Sequence, residues 1–289
     1  MGEIIGVIGL GRMGWALAER LAGQGAEVVG WTRRGVDSDM AKAAGFESAA
    51  DLSDCAARSD ILMLSLFDDT AVEAILGQLA ELDLSGKLIV ETSTIAPDVV
   101  QRFEDRILAA GGRLIDAPIS GGPEMVEAGT IGLFIGGAED DVARFWPVGE
   151  LASNRMARVG DLGMGATAKI VNNVALAGAF QSAVEALLLG QKLGLGLEVM
   201  LGFLAKSPGT TPMFKDRIAK ITGEDEEVGF SVDGGVKDLT LFTGVAEAAG
   251  IELSATNRVR DNFEKAQLAG LGDRDAAAVA AMLLGLIER

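Results

Sequence analysis

Apolar positions along the chain fall into two regimes. Up to about residue 160 they come as short unbroken runs of strand length, most of them followed by a segment in which they recur at helical spacing. The runs are 3–9 (EIIGVIG), 26–31 (AEVVGW), 60–66 (DILMLSL), 87–93 (KLIVETS), 113–120 (RLIDAPIS), 130–137 (TIGLFIGG) and 156–159. Helices are predicted at 15–25, near 37–44, from 70, from 97 and over the short 124–129. Unalternating apolar strands separated by helices predict an α/β unit built on a parallel, doubly wound sheet covered on both faces. From Gly163 to Leu193 the chain has no proline and is rich in Ala, Leu and Gln, which predicts one helix of roughly 40 Å. Apolar residues lie on nearly every side of it, as expected of a helix buried between two bodies. Beyond it only helical spacing remains, at 197–207, 213–222, 236–250, 255–270 and 275–289, with an acidic loop over 223–235. The expected organisation is an α/β domain over 1–162, an interdomain helix over 163–193 and an all-α domain over 194–289.

Candidate chemistry sits where strands end. The first run closes on Gly9-Leu10-Gly11-Arg12-Met13-Gly14 and leads into a helix, the setting in which G-x-G-x-x-G binds a dinucleotide. Gly9 allows the tight turn, Gly11 the approach of a pyrophosphate, and Gly14 the packing of helix on strand, with the phosphates on the helix N-terminal amides. A glycine turn that only packs is the alternative. After the second strand, where an NAD site places an acid, the chain reads Thr32-Arg33-Arg34. Two guanidiniums and a hydroxyl suit a 2′-phosphate, so NADP(H) is expected over NAD(H); solvated loop arginines are the alternative. Ser65-Leu66 and Ser93-Thr94 end the next two strands and are expected along the cofactor groove, although Ser and Thr also serve as helix caps. Ser120-Gly121-Gly122, just before Pro123 and a short helix, exposes amides and a hydroxyl and reads as a carboxylate cradle or as a plain Gly-Gly turn. On the long helix Lys169 and Asn173 share a face, with Asn172 adjacent. They form either a site or a lysine snorkelling to solvent beside two capping asparagines.

Composition narrows the chemistry. With 25 basic and 42 acidic residues the formal net charge is −17, which argues against nucleic acid or an anionic membrane as partner. An anionic ligand must then be held by a local cluster of donors. The chain has no histidine and no tyrosine, so proton chemistry falls to Lys, Asp, Glu or Cys, and a histidine-ligated metal is excluded. No metal is expected. One cysteine, Cys55, permits no internal disulfide and fits a reducing, cytoplasmic setting. Residues 1–9 do not resemble a signal peptide, and Asn172, Asn173 and Gln181 interrupt the apolar run of the long helix, so no membrane span is expected.

Four motifs occur in order across most of the chain: GLGRMG at the start, DAPISGGPEMVEAGT in the middle, G-x-G-x-x-x-K-x-x-x-N at 163–173 and GGVKDLTL near 240. Together they resemble the β-hydroxyacid dehydrogenases, which include 3-hydroxyisobutyrate dehydrogenase and the tartronate, glyoxylate and succinic semialdehyde reductases. The resemblance implies a Rossmann-type N-terminal domain and reversible hydride transfer between NADP(H) and a small carboxylated aldehyde or hydroxyacid. It implies Lys169 as proton donor, and Ser120, Gly121, Gly122 and Asn173 as holders of the substrate carboxylate. Ser65, Leu66, Thr94 and Lys237 match nicotinamide-side contacts, while Phe230 and Asp238 match a pocket pair. Gly234-Gly235 is expected to form a turn that brings 229–231 and 237–238 back toward the groove. Arg33 resembles the NADPH-using branch. The apolar long helix and the Ala-rich helical domain suggest a homodimer or homotetramer.

Imine reductases share the fold, but usually carry Asp or Tyr where Lys169 stands and are not expected to have the Ser-Gly-Gly cradle. A catalytically inactive dehydrogenase domain serving as an oligomerisation module would lose the lysine and come with basic segments. A phosphogluconate-type enzyme needs a longer helical domain and a histidine.

Overall fold

A computed structural model describes residues 2–287. The chain divides into two compact bodies, Met1–Lys169 and Ile170–Arg289. In the first body β1 (Ile5–Ile8), α1 (Arg12–Gly23), β2 (Val28–Trp31), α2 (Ser38–Ala43), β3 (Glu47–Ser48) and α3 (Leu52–Arg58) come first. They are followed by β4 (Ile61–Leu64), α4 (Asp69–Leu79), β5 (Leu88–Glu91), α5 (Pro97–Ala109), β6 (Arg113–Asp116) and β7 (Ile119–Ser120). Then α6 (Pro123–Glu127), β8 (Gly132–Gly136), α7 (Glu139–Ala152) and β9 (Arg155–Gly160) lead into α8 (Met164–Lys192).

The strands form one sheet in the order β3-β2-β1-β4-β5-β6-β8-β7, with β9 on β8. Ile5 pairs with both Val28 and Ile61, Leu64 with Glu91, and Glu91 with Asp116, so the carboxyl ends of β1, β4, β5 and β6 lie level. Chain order reverses on either side of β1, and a crevice at such a reversal is where ligands of these sheets bind. Both faces are apolar for a reason: Ile61 and Met63 join the core with Leu17, Leu21, Val126 and Phe145, while Leu62 and Leu64, equally buried, point the other way.

Two expectations are corrected. The sheet is mixed: it is parallel from β3 to β6 and again between β8 and β9, but β8 runs antiparallel to β6 and β7. The run 113–120 is accordingly two strands: Ala117 N donates to Glu91 O at 2.7 Å, Pro118 has no N–H to offer, and Ile119 N makes a longer bond, 3.3 Å to Thr92 O. The pattern also omits β3, α3 and α7. In α7 the interior Pro147 disguises a 14-residue helix.

The second body contains α8 from Ile170 on, then α9 (Leu197–Leu204), α10 (Pro212–Asp216), α11 (Ile218–Thr222), α12 (Val232–Ala248), α13 (Ser254–Ala266) and α14 (Ala277–Leu283). Phe242, Val259, Phe263 and Val279 centre one core cluster; Leu187, Met200 and Phe214 centre another. All its described elements are helical, as expected, but the boundaries differ. Residues 213–222 split at Arg217 into α10 and α11, and α13 ends in a π-type turn, Gln267–Leu271, with Gly270 at φ +81°. Gly234-Gly235 is not a turn but the start of α12, whose first turn is capped by the Ser231 hydroxyl accepting from Gly234 N. Gly235 is required there because a Cβ would strike the Phe263 ring.

The long helix α8 runs 29 residues, about 43 Å. It is less enclosed than expected: Val171 is 66% and Leu189 62% exposed. By length and composition alone it is long and apolar enough to cross a membrane.

Candidate active site

The first body carries four loops at the level ends of β2, β1, β4 and β5. After β1, Gly9 has φ +97°, and a Cβ on it would strike Ser65 O; a Cβ on Gly14 would strike Gly9 O. Those two glycines are demanded by the protein itself. Gly11 differs, since a Cβ there would meet nothing within 4 Å. The chain leaves open space over the turn where a ligand's backbone-hugging group fits. Gly11 is the N-cap of α1 and has no capping side chain, and the first turn holds no acid. By contrast Asp51 and Asp68 cap α3 and α4, each with a hydrogen bond of 2.8 Å. The α1 amides, with Leu10, Arg12 and Met13 around them, are thus left for an external anion.

Beside this turn, Thr32, Arg33 and Arg34 form the tight turn after β2, closed by Gly35 N to Thr32 O at 2.9 Å. Both arginines are exposed, and neither makes an ion pair among the described residues. Ser65 and Leu66 follow β4 and are half-buried, as is Thr94 after β5. Ser93 ties the two loops together: its buried hydroxyl accepts from Leu66 N at 2.8 Å, and Thr92 Oγ1 donates to Leu64 O at 2.6 Å.

Ser120 ends β7, and Gly121 follows at φ +140°, a left-handed conformation that favours glycine. Gly122 is the N-cap of α6 with no capping side chain. The Glu124 carboxylate folds back over Gly122, reaching 2.5 Å from where a Cβ would stand, so an incoming carboxylate has this flexible acid to displace. Lys169 lies on α8, 8% exposed, and the snorkelling alternative fails on that burial. One turn on, Asn173 accepts at its Oδ1 from Asn172 Nδ2, 3.0 Å away.

Phe230, Lys237 and Asp238 belong to the second body. Phe230 precedes α12 and is 37% exposed, and its amide donates to Asp275 Oδ2 at 3.1 Å. Asp238 is buried within α12 and pairs with its neighbour, Lys237 Nζ to Oδ1 at 2.6 Å.

Two acids were missed in the sequence. Glu91, at the end of β5, is 1% exposed; its Oε1 accepts from Ser93 N at 2.5 Å, while Oε2 is buried without a hydrogen-bond partner. Burial, opposed by the Ser93 bonds and reinforced by the nearby Asp116 and Asp69 charges, pushes its carboxyl up to about 8. Asp116, at the end of β6, is also 1% exposed and is pushed by burial up to about 6, against the pull of backbone amides at Gly163 and Ala166. An acid closing an otherwise apolar strand was the available signal. Cys55, buried on α3 with its thiol pushed by burial up to about 12, is a packing residue and not a nucleophile.

A Rossmann-type sheet with a glycine turn shaped for a pyrophosphate defines an NAD(P)-dependent oxidoreductase. Residues 4–160 match the family described as the NAD binding domain of 6-phosphogluconate dehydrogenase, and 163–283 match the NAD-binding domain of NADP-dependent 3-hydroxyisobutyrate dehydrogenase. The chain belongs to the β-hydroxyacid dehydrogenase family. It is 32% identical to 2-(hydroxymethyl)glutarate dehydrogenase of Eubacterium barkeri, over 95% of this chain and 93% of that one. The crystal structure of 3-hydroxyisobutyrate dehydrogenase from Salmonella typhimurium superposes with a TM-score of 0.86 at 26% identity, covering 97% of this chain and 100% of the other. An imine reductase from Pseudomonas sp. shares the fold at a lower TM-score of 0.63 and 23% identity, over 98% of this chain and all of its own.

Proposed function

We propose that the protein exchanges hydride reversibly between NADP(H) and a small carboxylated acid bearing an aldehyde or primary alcohol, with Lys169 as proton donor. The observation that carries this is a buried lysine on α8 in a chain with no histidine or tyrosine to act as the acid. When bound, NADPH supplies hydride to the carbonyl carbon. The Lys169 ammonium then stabilises the developing alkoxide and transfers its proton to that oxygen. Ser120, Gly121, Gly122 and Asn173 are read as holding the substrate carboxylate. Ser65, Leu66, Thr94 and Lys237 are read as nicotinamide-side contacts, and Phe230 and Asp238 as a pocket pair, each by its match to the family motifs. The two relatives named above act, by their names, on acids with a hydroxymethyl group on the carbon next to a carboxylate, which is the substrate class favoured here.

A panel of C2 to C4 semialdehyde acids with NADPH and NADH, followed at the nicotinamide absorbance, tests the reading. Turnover of at least one acid with NADPH is expected. NADPH binding with no turnover of any acid would sink it, and turnover of a cyclic imine alone would move the assignment to an imine reductase.

The preference for NADP(H) is read from Arg33 and Arg34, exposed beside the α1 turn with no ion pair among the described residues. A double Arg33→Ala, Arg34→Ala variant should raise the KM for NADPH by about 10- to 100-fold, the loss of one or two charge-assisted bonds to a phosphate, and leave that for NADH nearly unchanged. An equal rise for both cofactors would refute the assignment. The exposed Val171 and Leu189 on α8 support a homodimer or homotetramer, which a monomer by light scattering would contradict.

A further inference from the structure

Two stretches of the first body bear the proposed chemistry, and they meet at one side chain. Asp116 closes β6. Its Oδ1 accepts from Gly163 N at 2.8 Å and its Oδ2 from Ala166 N at 2.7 Å, where α8 begins. Onward from Asp116 the same segment reaches Ser120, Gly121 and Gly122. Onward from Ala166 the helix reaches Lys169 within a turn.

The space for this carboxylate is cut by two glycines on two other elements. A Cβ on Gly136, at the end of β8, would strike Asp116 Oδ1 and come 2.8 Å from Gly165 N. A Cβ on Gly165, in α8, would strike Phe134 O and come 2.7 Å from Asp116 Oδ2. Residues of β6, β8 and α8 therefore all serve one contact. It is held at a cost, because Glu91 stands opposite Asp116 in the strand register, equally buried, and neither acid has a cation in ion-pair range among the described residues. A serine or asparagine cap would close the helix end without burying a second acid there.

We propose that Asp116 is a positioning residue, which fixes the first turn of α8, and through it Lys169, relative to the Ser120–Gly122 turn carried on its own segment. The proposal rests on the reading of Lys169 as proton donor. Asp116→Asn keeps the size of the side chain but turns one acceptor into a donor facing a backbone N–H. Gly165→Ala presses on the same contact from the helix side.

Both variants are compared with Lys169→Ala using 3-hydroxyisobutyrate and NADP+, with NADPH affinity by fluorescence titration and amide hydrogen exchange over 163–169. The expected result for Asp116→Asn and Gly165→Ala is a kcat lowered by about 100-fold, as a displacement near 1 Å produces. The NADPH Kd should stay within about threefold, and exchange over 163–169 should quicken. Lys169→Ala should lose turnover with its exchange unchanged. Wild-type kcat in Asp116→Asn overturns the positioning role, whatever Lys169→Ala does. A loss of NADPH binding in step with kcat also overturns it, because the defect is then general. Wild-type turnover in Lys169→Ala, with Asp116→Asn impaired, sinks the proton-donor reading instead. Should Asp116→Asn not fold, the wild-type amides decide: Gly163 and Ala166 must exchange at least about tenfold more slowly than Arg12 and Met13 of the uncapped α1, and equal rates overturn the proposal.

Discussion

Lys169→Ala should lower turnover by about 10²- to 10³-fold while leaving NADPH affinity within a few-fold of wild type. The reason is where charge develops. Hydride arrival at a carbonyl carbon leaves an alkoxide, and a fixed ammonium beside it stabilises the transition state far more than the ground state. The side chain is buried on a helix, so its position does not depend on ordering a flexible chain from solvent. No histidine or tyrosine exists in the chain to substitute for it. Alanine leaves the α8 backbone and the glycine turn after β1 intact, which is why cofactor binding should survive. Steady-state kinetics and fluorescence titration on one preparation separate the two effects. Retention of wild-type turnover would remove Lys169 from the mechanism.

Glu91→Gln should change how stability depends on pH, by on the order of 4 kcal/mol between pH 5 and 8. In the fold the Glu91 carboxyl is pushed up to about 8 from an ordinary 4.5, by burial first and by the Asp116 and Asp69 charges after it. Between those two values the native state holds a proton that the unfolded chain has released. The free energy of unfolding contributed by this group therefore falls as pH rises through that window, and levels off above about 8. Glutamine is close in shape and does not titrate. Urea unfolding of both proteins at pH 5, 6, 7 and 8 should show the variant gaining on wild type as pH rises. A difference that stays constant across the series would mean that Glu91 is charged in the fold. Asp116, raised to about 6, titrates lower and is present in both proteins, so it largely cancels from the comparison.

Both side chains lie where local pattern and long-range contact part company. The glycine turn at 9–14, the turn after β2, the Ser-Gly-Gly turn and the place of Lys169 on one long helix were legible as local features because each is written in adjacent residues. Strand runs read well for the same reason, since burial on both faces leaves no polar alternation to interpret. Elements were missed where a local rule was broken by tertiary packing. Pro147 sits inside α7, and Gly234-Gly235 lies in the first turn of α12, where a Cβ on Gly235 would strike the Phe263 ring. Asp116 read as an ordinary strand residue because the amides it holds lie at Gly163 and Ala166, far along the chain.

The amino-acid sequence by itself determined the family, the place of the dinucleotide turn, the single long helix and the absence of histidine or tyrosine chemistry. These are matters of residue type and short spacing. Only the tertiary structure decided that Lys169 is buried, that the sheet turns antiparallel beyond Pro118, and that Gly11 alone of the three turn glycines leaves open space. It alone also set two acids side by side at the ends of β5 and β6. The physical reason is that burial and pairing are properties of neighbours in space, which strand order selects and no local window contains.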